Sequence, residues 1–188
     1  MTNPIRQYNN VFSSKECDFI LSTRVKYSKT PLGLKDLLIF RDESYSEWNK
    51  IFNIIETNMG DIIDNYVGQF LNLFPKHALS VSHIGFLNDK SGSFTEIHYD
   101  WELVFFKKRT IIKPFVAIIY LNDDFDGGDL LFPLQQERTI PKKGSVVVFP
   151  CNYTYPHVSQ PVVKGNKHVC RITYKMDPES YAIEIMEI

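Results

Sequence analysis

The sequence predicts an α+β, mainly β fold in which N-terminal helices pack on an antiparallel sandwich or barrel. Three observations lead there. Apolar residues recur at helical spacing only in the first part of the chain. After Pro75 the pattern changes to short runs rich in β-branched and aromatic residues, separated by polar or Gly-rich breaks. No helix-length pattern interrupts that second part, and helices followed by many short strands make an α+β order.

Two helices open the chain. Ser13-Ser14-Lys15-Glu16 has the form of a capping box and leads into Cys17, Phe19, Ile20 and Leu21. A longer amphipathic helix starts near Ser46. Trp48, Phe52, Ile55, Met59, Ile62, Ile63, Tyr66, Val67 and Phe70 recur mostly at three- and four-residue steps, and Pro75 closes it. Residues 31–41 are ambiguous and could hold an early strand. Strands are expected at 79–87, 95–104, 114–121, 129–132, 145–149, 157–163 and 168–176. The breaks fall at 88–93, 122–128 and 141–144. The tail, 177–188, is apolar enough to dock on the body. With 188 residues and no linker or internal repeat, one domain is expected: helical support over about 1–78 and a β core over about 79–176.

Composition narrows the function classes. The chain is 44% hydrophobic and 23% charged with a net charge of −1, so nucleic acid or an anionic membrane is an unlikely main partner. Lys107, Lys108 and Arg109 cluster locally, as in a solvated loop. Cys17, Cys151 and Cys170 are far apart and odd in number, which argues against disulfides or a structural zinc site. The first residues have no apolar leader segment and no apolar run is long enough to span a bilayer, so a cytoplasmic protein is expected.

The chemistry lies in His98-Tyr99-Asp100 and His157. In a regular strand, His98 and Asp100 share one face and can reach one ion. Two imidazoles and a carboxylate on one side of an octahedron make a facial triad suited to Fe(II), with positions open for a bidentate cosubstrate and O2. His-x-Asp alone is weak evidence, since a strand histidine is more often a hydrogen-bonded core or surface residue.

Its context is more specific. Tyr120-Leu121-Asn122-Asp123 follows, then Gly127-Gly128-Asp129-Leu130-Leu131-Phe132-Pro133. Pro141-Lys142-Lys143-Gly144 then runs into Val146 and on to Phe149-Pro150. His157, Pro161-Val162 and Gly165-Asn166-Lys167 complete the series. This order resembles the prolyl 4-hydroxylase-like branch of the 2-oxoglutarate/Fe(II) dioxygenases, and Phe12-Ser13-Ser14-Lys15-Glu16-Cys17 is similar to that family's opening. The resemblance covers most of the chain. It implies a double-stranded β-helix (jelly-roll, cupin-like) core, Fe(II) at His98, Asp100 and His157, 2-oxoglutarate and O2 as cosubstrates, and ascorbate as reductant. It further implies hydroxylation of a substrate C–H with decarboxylation of 2-oxoglutarate to succinate, on a prolyl or other peptidyl acceptor. The same chemistry on a small molecule, free amino acid or nucleobase stays open. So do a zinc or manganese enzyme with this triad and a non-catalytic jelly-roll binding protein.

In that family the position of Lys167 binds the distal carboxylate of 2-oxoglutarate. A cation there can face the metal's interior, and a ligand carboxylate would pair with it. The alternatives are a solvent-facing lysine, or Arg171, of the same strand parity, in its role. His168 has opposite parity and should face outward, and His77 and His83 have no spacing that brings them near a metal. Gly127-Gly128 predicts a turn with positive φ. Tyr120 and Phe132 read as core, and Tyr99 as pointing away from the metal face. One departure stands out. Where family members carry a Tyr that contacts the 2-oxoglutarate tail, this chain has Asp89 in an apparently lengthened loop, with Phe86 as a displaced equivalent.

Overall fold

The computed structural model describes residues 3–27, 46–70, 79–100, 104–106 and 109–176. The readings at 31–41, Pro75, His77, Lys107, Lys108 and the tail lie outside them.

The chain starts with a short strand, β1 (Arg6–Tyr8), which the sequence reading did not separate from the helical region. Helix α1 (Ser14–Tyr27) begins with the capping box in full. Ser13 N–H and Oγ–H both donate to Glu16 Oε2 at 2.7 Å, and Glu16 N–H donates to Ser13 Oγ at 3.3 Å. Desolvation works against the Glu16 carboxylate. Hydrogen bonds from Ser13 and Asn58 outweigh it and hold the pKa below its ordinary value. Helix α2 (Ser46–Phe70) buries Trp48, Ile51, Phe52, Ile55, Met59, Tyr66 and Val67, while Ile62, Ile63 and Phe70 of the predicted stripe are only partly buried against the same cluster.

The strands are β2 (Leu79–Lys90), β3 (Thr95–His98), β4 (Val104–Phe106), β5 (Arg109–Ile111), β6 (Phe115–Tyr120), β7 (Asp126–Gly127), β8 (Leu130–Phe132), β9 (Glu137–Thr139), β10 (Val146–Pro150), β11 (His157–Ser159), β12 (Val162–Lys164) and β13 (Asn166–Met176). They form a five-stranded sheet, β1-β10-β6-β13-β2, and a four-stranded sheet, β3-β11-β8-β9, with two two-stranded pairs, β12-β7 and β4-β5. Every pairing is antiparallel. The architecture is a double-stranded β-helix.

Strand alternation sorts the large sheet into two faces. Phe115, Ala117 and Ile119 of β6, Val146 and Val148 of β10, and Cys170, Ile172 and Tyr174 of β13 join the helix stripe in one apolar cluster. The opposite face contributes Val116, Tyr120, Val147, Phe149 and Val169 to a second cluster with Leu130 and Phe132 of the small sheet. This puts Tyr120 and Phe132 in the core, as expected. Cys17, Cys151 and Cys170 are all buried free thiols. Burial pushes the Cys151 thiol up to about 12.

Several boundaries differ from the sequence reading. The strand expected at 79–87 continues to Lys90, so the break expected at 88–93 shrinks to a tight turn at Ser91–Gly92. Asn88, Asp89 and Lys90 are polar, but they pair with His168, Lys167 and Asn166 of β13. Strand register overrides their turn propensity. The strand expected at 95–104 ends at His98, and the one expected at 157–163 splits at Pro161, which has no N–H for the ladder. Phe86 is 2% exposed and packs against Trp48 with ring centroids 5.7 Å apart, so it faces the helices and cannot substitute for a tyrosine in the interior.

Candidate metal centre

His98 is the last residue of β3 and His157 the first of β11, and the two are direct cross-strand partners. Their ring centroids lie 4.3 Å apart. Asp100 lies two residues beyond the end of β3, so regular alternation does not place it. The chain's exit from the strand does. His157 Nε2 is 3.5 Å from Asp100 Oδ2, and His98 Nε2 is 3.9 Å from Asp100 Oδ1.

Backbone carbonyls orient both imidazoles. In the tautomer protonated on Nδ1, His98 donates to Glu96 O at 2.8 Å and His157 donates to Tyr155 O at 3.2 Å. That tautomer leaves both Nε2 lone pairs facing Asp100, the usual arrangement behind metal-bound histidines. Desolvation lowers the pKa of His157, the nearby Asp100 carboxylate raises it, and His98 lowers it. The net direction is down, so the ring is neutral and able to donate its lone pair at physiological pH. Phe149 meets its ring edge-on at 4.7 Å.

The residues fit a metal. Potential ligand atoms of His98, Asp100 and His157 lie within 4.8 Å of one another, and no other such cluster exists among the described residues. Donors on one face of an octahedron, each about 2.0–2.2 Å from the ion, lie about 3 Å apart, so the three side chains must draw together to share one ion. Two nitrogens and one oxygen suit a non-haem Fe(II) and leave half of an octahedron vacant.

The triad lines a cavity of about 200 Å³ between the sheets. Leu87, Ile118, Leu130 and Val169 give it apolar walls, and Lys167 lies in its lining with Asp89 and Ser159. Lys167 is 4% exposed, which rules out the solvent-facing alternative. Its Nζ donates to Ser159 Oγ at 2.6 Å and to Gly128 O at 3.2 Å, and it is 3.0 Å from Asp89 Oδ2. Gly127 and Gly128 have φ of 78° and 72°, the positive values their sequence predicts. A Cβ on Gly128 would lie 3.1 Å from Lys167 Cδ, so the glycine leaves room for the lysine stem.

Arg171 lines the same cavity, with a different partner from that expected of a cosubstrate anchor. Its Nη1 donates to Asp100 Oδ1 at 3.0 Å. Its Nη2 is 3.3 Å from His83 Nε2, which lies 3.0 Å from Thr173 Oγ1. His83 thus stands in the shell that braces Asp100, contrary to the sequence reading. The missed signal is register. His83 pairs with Thr173, and Gly85, without a side chain, faces Arg171. His168 is on the opposite face from Lys167, beside a surface depression lined by Asn122, Asp123 and Lys143. Tyr99 is 51% exposed, consistent with pointing outward.

Residues 82–175 match the family model described as the 2OG-Fe(II) oxygenase superfamily, half of the chain. The chain belongs to this superfamily. Among its oxygenase relatives, prolyl 3-hydroxylase 2 of Mus musculus and of Homo sapiens are each 30% identical over 71 residues, 35% of this chain. That stretch spans only 10% of those longer oxygenases. Three solved oxygenase structures share the fold. The viral collagen prolyl hydroxylase of Paramecium Bursaria Chlorella virus-1, in its 2-oxoglutarate complex, superposes with a TM-score of 0.71 at 17% identity, covering 93% of this chain and 96% of that one. A Pseudomonas putida prolyl-4-hydroxylase gives 0.67 at 16% identity, covering 93% and 94%. A Trichoplax adhaerens prolyl hydroxylase bound to a hypoxia inducible factor peptide fragment gives 0.65 at 16% identity, covering 97% and 87%. The chain thus has the family of the matching model and the fold of these structures. Among its described residues no helix is long and apolar enough to cross a membrane.

Proposed function

We propose that this protein is an Fe(II)- and 2-oxoglutarate-dependent hydroxylase of a prolyl or other peptidyl substrate, acting as one oxygenase domain. The observation that carries the reading is the joint placement of His98, Asp100, His157 and Lys167 in the lining of one cavity.

His98, Asp100 and His157 would hold Fe(II), and three protein ligands would leave coordination positions for 2-oxoglutarate and O2. When bound, the iron supplies oxygen activation coupled to decarboxylation of 2-oxoglutarate to succinate, with ascorbate as reductant of the resting centre. The protein contributes position. The Glu96 and Tyr155 carbonyls fix the two imidazoles, and Arg171 fixes the Asp100 carboxylate. The apolar walls keep water from the reacting groups. Lys167, in the same cavity lining, receives the far carboxylate of the cosubstrate and so sets its orientation.

The relatives named as prolyl hydroxylases support a peptidyl acceptor.

The test is turnover. Purified protein with Fe(II), ascorbate, O2 and 2-oxoglutarate should form succinate, faster with a proline-containing peptide, and the peptide should gain one oxygen atom by mass spectrometry. His98→Ala should abolish both products while leaving the far-ultraviolet circular dichroism unchanged. A well-folded, iron-loaded protein that never forms succinate contradicts the proposal.

A further inference from the structure

Besides Asp100, the cavity lining contains a second carboxylate, Asp89. Asp89 of β2 and Lys167 of β13 are direct cross-strand partners facing the interior. Their side chains are 7% and 5% exposed, and Asp89 Oδ2 lies 3.0 Å from Lys167 Nζ. Asp89 Oδ2, Ser159 Oγ and Gly128 O match the three N–H bonds of the ammonium group in number. Asp89 Oδ1 is buried and accepts no hydrogen bond. Both residues line the cavity.

We propose that Asp89 is a specificity-determining residue that weakens the hold of this pocket on a charged cosubstrate tail. The inference rests on the 2-oxo acid reading of the cavity given above. Charge accounting carries it. Lys167 and Asp89 sum to zero before any ligand arrives, and at similar distances the attraction of one offsets the repulsion of the other. An incoming carboxylate must share Lys167 with Asp89, displacing a hydrogen bond already made, and it brings no proton for Asp89 Oδ1. The keto-acid head, held at the metal, is unaffected. A tail carboxylate therefore adds little affinity, and the pocket separates 2-oxo acids by tail charge less sharply than a lone buried lysine would.

The experiment is calorimetric binding to the Fe(II)-loaded protein without oxygen. Its ligands are 2-oxoglutarate and 2-oxopentanoate, which has a methyl group in place of the far carboxylate. The wild-type protein should prefer 2-oxoglutarate by less than about tenfold. Asp89→Asn, which keeps the side chain's shape and an acceptor for Lys167, should raise that preference by about tenfold or more. It should do so through tighter 2-oxoglutarate binding, with the Kd of 2-oxopentanoate changed by less than about twofold. A wild-type preference above about tenfold overturns the inference, and so does an Asp89→Asn variant that leaves the ratio unchanged or shifts both acids alike. If that variant does not fold, the wild-type preference decides alone. If neither acid binds the iron-loaded wild-type protein, the 2-oxo acid reading itself fails, and this inference with it.

Discussion

At the residue scale, the site depends on an imidazole kept neutral by its surroundings. It belongs to His157, since burial lowers its pKa below that of a free histidine. The sign of the consequence follows from linkage. Above about pH 6.5 the ring is neutral in both folded and unfolded chains and contributes no pH dependence. Below it, the unfolded chain takes up the proton first, so the metal-free fold loses stability as pH falls from about 6.5 toward the depressed folded value. Denaturant unfolding in the presence of a chelator should therefore show a steeper stability loss between pH 7 and pH 5.5 for wild type than for His157→Asn. Parallel slopes would contradict the assignment. The sequence selected His98, Asp100, His157 and Lys167 through the ordered motifs of the family it resembles, the His-x-Asp spacing alone being weak. It missed His83 and misjudged Arg171, whose roles depend on which residue of β2 faces which residue of β13. That register is set by packing across the whole strand pair and leaves no local mark.

Single elements carry the site through their ends and turns. β3 and β11 place two imidazoles opposite one another, and the chain leaving β3 brings in Asp100. The Gly127-Gly128 turn brings a carbonyl to Lys167 while clearing its stem. Gly128→Ala forces a side chain into a left-handed backbone at φ 72° and against Lys167 Cδ and the Phe125 ring. It should cost about 1–3 kcal/mol in urea unfolding and loosen 2-oxoglutarate binding. A neutral result on both would show that the turn does not shape the pocket. The two helices and the Gly-Gly turn were legible because periodicity, capping and φ requirements are local properties. The 79–87 strand was cut short because Asn88-Asp89-Lys90 has the composition of a turn. β13 supplies the pairing that keeps those residues extended, and that pairing is what turns Asp89 into the cavity.

Across the whole molecule, one sheet serves two purposes. Its outer face buries the helix stripe, and its inner face holds both the second apolar cluster and the charged residues Asp89, Lys167 and Arg171. The helices stabilise the sheet from behind, so the cavity side can carry buried charge at the expense of packing. Fold class was readable from the change of period after Pro75, since an antiparallel sandwich needs many short alternating strands. The strand order β1-β10-β6-β13-β2 was not, because every join in it is long-range in sequence. His98 of β3, His157 of β11 and Asp100 just beyond β3 must act as one metal site. Anaerobic calorimetric titration with Fe(II) tests this most directly. Saturation at one iron per chain, lost in each of His98→Ala, Asp100→Ala and His157→Ala in proteins that remain folded, is the predicted result. Iron uptake that is absent from the wild type, or that survives any of the three substitutions undiminished, would contradict it.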